Sequence, residues 1–285
     1  MTAPPPSPMS LDVMLSRSWA LFRYRPLVAL PPVIIFLPLI GGAIAFVVWI
    51  AIVAIAATAH HASPATVIAP ALIGYAAFIV VMLACSVAAY AAMYGMANAL
   101  WERGDTSIGD ALAAVRASFG TVFVAGIGMF GLVLLALLLA LPTLFLSFLA
   151  LPLFTMYVLP AVVAGHRGGF AAIGESIALV RRAFATSAIA ALVLFAIQYG
   201  ISFLSYPFLL PLQMSMVGST KGDAPLVLPA PPALISGLVG YVLITLLSLS
   251  YQGFHAVAVT GLYHSLVTPG MEAPAPAAGS RPPSG

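Results

Sequence analysis

The sequence predicts an all-α fold: a polytopic bundle of six transmembrane helices, with short amphipathic helices on its cytoplasmic side. Three observations predict it. Only 6% of the 285 residues are charged, ten basic and seven acidic, against roughly 25% in an ordinary soluble domain. Hydrophobic residues make up 62%, and mean hydropathy is +1.13. The few charges also fall in clusters, with long apolar runs between them. A soluble fold must cover itself with polar side chains, and this chain has too few. That excludes a soluble enzyme, a disordered chain and a nucleic-acid binder.

The elements follow from the gaps between charges. Residues 1–9 hold four prolines and read as a disordered tail. No Asp, Glu, Lys or Arg occurs in residues 26–101, 117–166, 183–220 or 224–271. A helix needs about 20 residues to cross roughly 30 Å of hydrocarbon. The first two gaps therefore hold two spans each, and the last two hold one each. Polar residues and a proline at His60-His61-Ala62-Ser63-Pro64 divide the first gap, giving spans near 32–58 and 67–98. Pro142-Thr143 divides the second, giving spans near 120–141 and 144–165. Spans five and six lie near 185–210 and 233–264. Helix is the form expected of each, because main-chain groups in hydrocarbon need internal partners. Pro38, Pro152, Pro160, Pro207 and Pro211 should kink or end helices. Residues 10–266 thus form one membrane domain, and 267–285 a second disordered tail. Ala57-Thr58-Ala59 looks like a cleavage site, but the run from Leu27 to Thr58 is too long for a signal-peptide core, so span one is expected to stay.

Orientation follows from the basic residues. Arg17, Arg23, Arg25, Arg103, Arg116, Arg167, Arg181, Arg182 and Arg281 fall on one side of this arrangement, and only Lys221 on the other. The positive-inside rule places both termini in the cytoplasm. One Lys among ten basic residues, with abundant Ala, points to a bacterial genome rich in G and C, and so to an inner membrane. Cys85 has no partner for an internal disulfide and reads as an inert packed thiol.

Two cytoplasmic segments match without gaps. Residues 108–119 and 173–184 share the pattern I-G-acid-x-aliphatic-A-x-V-R-x-x-F. Ile108, Leu112, Val115 and Phe119 fall within about 60° of one another on a helix, and Ile173, Ile177, Val180 and Phe184 repeat the stripe. Arg116, Arg181 and Arg182 are placed to meet anionic headgroups, the expected partners. Asp110 and Glu175 lie opposite, in what reads as the first turn, where negative charge suits the helix dipole, and Ser107 reads as an N-cap. A weaker copy, Leu11, Leu15, Ser18 and Phe22, precedes span one. The expected architecture is three units of interfacial helix plus two-span hairpin.

With these segments, Met156-Tyr157-Val158-Leu159-Pro160-Ala161 and Gly261-Leu262-Tyr263-His264-Ser265-Leu266 complete a likeness. Over most of residues 10–266 the chain resembles a set of bacterial six-span integral membrane proteins. They are grouped with the membrane domain of some glycerophosphoryl diester phosphodiesterases. The resemblance implies a fold and no activity.

Chemistry is sparse. No metal-ligand cluster, P-loop, H-E-x-x-H or G-x-S-x-G pattern occurs, and no cofactor is expected. His60-His61 reads as a solvated turn. The expected spans contain no Asp, Glu, Lys or Arg, which disfavours catalysis and ion-coupled transport. The intramembrane polar candidates are Gln198, Gln252 and His255. Gln252 and His255 share a helix face: they form a packing hydrogen bond between helices, or a substrate or proton site. Gly126, Gly128, Gly131, Gly237 and Gly240 would allow close helix contact, with a homo-oligomer seam as the alternative. The expected function is non-enzymatic: organising lipid or a membrane partner through the cytoplasmic helices. Its alternative is passage of a neutral or amphipathic solute.

Overall fold

A computed structural model gives the fold and describes residues 10–59, 65–144, 146–204, 206–208, 210 and 231–267. His60-His61, Lys221, Arg281 and residues 1–9 and 268–285 lie outside these. In chain order come α1 (Leu11–Tyr24), a 3-10 turn (Pro26–Ala29), α2 (Leu30–Ala59), α3 (Ala65–Arg103) and α4 (Ile108–Leu138). Then follow α5 (Leu146–Thr155), α6 (Val158–Val163), α7 (Gly169–Arg182), α8 (Phe184–Phe203) and α9 (Pro231–Val267). Among the described residues there is no strand. Among the described residues, five stretches are long and apolar enough to cross a membrane: Ile68–Arg103, Ile108–Leu138, Leu146–Val163, Phe184–Phe208 and Val239–Val267.

Local chemistry sets the boundaries. Arg25 ends α1, and Pro26, which lacks an N–H, opens the 3-10 turn. Gly104 takes the left-handed conformation (φ 74°) that stops α3, its N–H bonding Leu100 O. Ser107 and Asp110 form a capping box at the start of α4, so the expected N-cap is present. Residues 139–144 turn at Pro142, where the sequence placed the break.

α3 has 39 residues and α9 has 37, or about 58 and 55 Å of helix. Both exceed a hydrocarbon core of about 30 Å, so their ends project beyond it. The tight core sits at the charged ends: Met14, Met96, Leu100, Tyr157, Val180 and Leu262 are all buried. The far halves are bare, with Leu72, Ile73, Val80, Leu138 and Leu192 more than half exposed. An apolar surface of that extent needs lipid around it. Close crossings hold the core. A Cβ on Gly95 would strike Ala114 Cβ, one on Gly253 would meet Ala29 main chain at 2.9 Å, and one on Gly261 would enter the Trp101 ring. The glycines picked from sequence behave differently. Gly128 does abut Ile173 and Gly240 abuts Phe208, but nothing lies within 4 Å of a Cβ on Gly126 or Gly131.

Three expectations need correction. The segment 108–119 is no separate interfacial helix. It forms the first three turns of the unbroken α4, because Gly120 alone is too weak a breaker to end a helix. Its stripe points outward, with Ile108, Leu112 and Phe119 exposed and Val115 half-buried. The small residues Ala111 and Ser118 are buried instead. The second segment does form its own helix, α7, ending at Ala183. There Ile173 and Ile177 are half-buried, Val180 is buried and Phe184 is exposed. Because α7 begins at Gly169, Glu175 lies past the first turn and away from the dipole. Finally, span four is two helices. Pro160 cannot donate to Met156 O and its ring crowds that carbonyl. The chain therefore breaks at Met156-Tyr157. Buried Ser176 of α7 stitches the break: its hydroxyl donates to Phe154 O (2.7 Å) and accepts from the Tyr157 N–H (3.1 Å). Tyr157, itself fully buried, hydrogen-bonds Ser187 of α8 through its phenol (2.9 Å).

Candidate functional site

Two features stand out: an uncharged cavity among the apolar helices, and a charged rim at the helix ends.

The cavity encloses about 530 Å³. α3 lines it with Ser86, Tyr90, Met93 and Tyr94, which share a helical face. The broken α5–α6 pair contributes Pro152, Thr155 and Met156, so the proline-induced break shapes one wall. α9 adds Tyr251, Gln252 and His255. Gly126 of α4 keeps room open by having no side chain. A second cavity of about 140 Å³ shares Pro152, Met156, Tyr251 and His255 and adds Gln198 of α8. All three intramembrane candidates from the sequence therefore surround adjoining spaces.

Their hydrogen bonding is incomplete. Tyr94 Oη and His255 Nδ1 are 3.5 Å apart, a long contact. Tyr251 donates to Leu194 O (2.7 Å). Among the described residues, no hydrogen bond serves the side-chain amide of Gln198 or Gln252. The packing bond expected of Gln252 is thus missing. Both amides are half-buried and line the cavities, so water or a bound polar group there is their natural complement. No charged residue lines either cavity, which fits a neutral polar group with apolar parts. Sequence reasoning missed Tyr90, Tyr94 and Tyr251. The signal was present in the i, i+4 pair of tyrosines and in Tyr251 beside Gln252, but tyrosine in a span reads first as an interfacial residue.

The rim gathers the clusters that the sequence spread over four segments. Arg25 pairs with Asp105 (2.7 Å), Arg103 with Asp110 (2.6 Å) and Arg167 with Glu175 (2.5 Å). Tyr263 donates to Glu175 (2.8 Å) and Arg182 donates to Leu266 O, tying the end of α9 to α7. His264 Nε2 donates to Asn98 Oδ1 (2.8 Å), and Asn98 Nδ2 donates to Glu102 (2.9 Å). Exposed ion pairs of this kind contribute about 0–1 kcal/mol each, so the rim fixes register more than it stabilises. Arg116 and Arg181 are exposed. Among the described residues, no group of three or more His, Cys, Asp or Glu is placed to hold a metal ion.

No protein-family model, curated protein or solved structure matches the chain.

Proposed function

We propose that the chain is a non-enzymatic integral membrane protein that holds a neutral amphipathic molecule drawn from the bilayer, and in that way organises lipid. It crosses a bacterial inner membrane six times. α2 is the further span, since its thirty residues carry no charge. Both termini and the charged rim face the cytoplasm, where exposed Arg116 and Arg181 meet anionic headgroups. The pseudo-repeat of residues 108–119 and 173–184 supports descent from a duplicated helical unit: Asp110 and Glu175, its matched acids, are each paired with an arginine seven or eight residues upstream.

The main support is the unsatisfied Gln252 amide facing a cavity with no charge in its walls. The protein is to be purified in mild detergent, its lipids extracted and measured by mass spectrometry. Gly126→Leu should fill the cavity without a clash, because nothing lies within 4 Å of a Cβ there. One neutral or weakly polar lipid should copurify with the wild type and fall at least fivefold in the variant. Equal retention by both would refute the proposal.

Passage of a neutral or amphipathic solute is the second reading. It is favoured by the two cavities sharing His255 and Tyr251, which links the α3–α4 side of the bundle to α8. Vesicles reconstituted with the protein and offered a panel of uncharged solutes test it.

A further inference from the structure

The loop between α6 and α7 holds a histidine where the backbone favours glycine. After α6, the Gly165 N–H bonds Pro160 O (3.1 Å) and the Arg167 N–H bonds Ala161 O (3.0 Å), closing a turn. Between them His166 takes φ 52°, in the left-handed region that glycine fills at most helix ends. Gly165 beside it cannot be exchanged, since a Cβ there would strike the Tyr263 hydroxyl. The chain thus keeps an imidazole at a position where a smaller residue would suit the backbone better.

That imidazole lines a rim pocket of about 400 Å³, together with Asn98, Glu102, Arg103, Asp110 and Arg167. At about 30 Å³ for each water-sized group, the space takes roughly a dozen heavy atoms. Its charges are unevenly matched. Asp110 is held by Arg103 (2.6 Å), and Arg167 is held by Glu175 through Nε (2.5 Å) while also lining the pocket. Glu102 accepts from Asn98 (2.9 Å) and lies in the field of Arg103 and His264, but among the described residues it forms no ion pair with either. The pocket therefore presents a carboxylate on one side, and a guanidinium with an imidazole on the other. A lone anion would meet Glu102, and a lone amine would meet the arginines. A molecule carrying both charges satisfies both walls.

We propose that this pocket binds a small zwitterion. Its ammonium group lies at Glu102, and its oxyanion lies between Arg167 and His166. The site shares no residue with the intramembrane cavity and stands or falls apart from it. Such a zwitterion comes either from a lipid headgroup at the membrane surface or from a soluble solute.

The full chain is to be titrated calorimetrically in detergent with phosphoethanolamine and with inorganic phosphate. In nanodiscs of mixed phosphatidylethanolamine and phosphatidylglycerol, the lipid retained is measured by native mass spectrometry. Binding of phosphoethanolamine over phosphate, with neither lipid preferred in the nanodiscs, identifies a soluble source. Selective retention of phosphatidylethanolamine in the nanodiscs identifies a headgroup, whether or not free phosphoethanolamine binds. In either case Glu102→Gln and His166→Gly should weaken binding at least tenfold, and His166→Gly should melt no lower than wild type, because glycine suits that φ. Two results overturn the proposal: neither zwitterion preferred over its anionic counterpart, or both variants binding like wild type.

Discussion

Ser176→Ala isolates what holds the break between α5 and α6. Ser176 is fully buried, and its one hydroxyl serves two main-chain groups, Phe154 O at 2.7 Å and the Tyr157 N–H at 3.1 Å. Alanine removes both partners at once. Each stranded main-chain group costs about 1–3 kcal/mol, so the variant should lose about 2–6 kcal/mol. An ordinary side-chain hydrogen bond between membrane helices averages only about 0.6 kcal/mol, so the two cases are separable. Ser118→Ala is the control. Its hydroxyl donates to Ala114 O one turn back in the same helix (2.6 Å), a carbonyl that the helix ladder also serves. That change should cost no more than about 1 kcal/mol, because no main-chain group is left without a partner. Reversible unfolding in mixed micelles, followed by circular dichroism, gives both numbers. A Ser176→Ala loss no larger than that of Ser118→Ala would show that the break does not depend on the bridging hydroxyl.

Helix crossings and topology give further tests. Gly253→Val drives a side chain into the main chain of Ala29 and should cost at least about 2 kcal/mol by overpacking, read from the same unfolding curves. Gly131→Val meets open space and should fold like wild type. Reporter fusions after Arg103, Arg182 and Val267 should all report cytoplasm, and a periplasmic signal at any of them would reverse the orientation.

Much of the fold was readable from charge placement, because the cost of burying charge in lipid confines Arg, Asp and Glu to helix ends. The end of α3 at Arg103 and the Ser107 cap follow directly. The continuity of α4 did not, because an amphipathic start to a span and a separate surface helix share one periodicity, and only a breaker distinguishes them. Why α7 and α8 part at Ala183 has no explanation in the residues there. The break at Met156-Tyr157 was half legible: Pro160 announces a fault, but the hydroxyl that repairs it lies 16 residues further on. Gln198, Gln252 and His255 were visible as polar residues in apolar runs. Their meeting around two adjoining spaces depends on how α3, α5, α8 and α9 pack, which hydropathy does not encode. Ion pairs between distant segments, such as Arg25 with Asp105, were hidden for the same reason.

The central claim is that a neutral molecule occupies the cavity against Gln252 and His255. Native mass spectrometry of the intact protein released from nanodiscs tests it most directly. The wild type should carry one added uncharged mass that is absent from the Gln252→Leu, His255→Leu double variant. A bare wild-type chain, or the same added mass on both proteins, would contradict it.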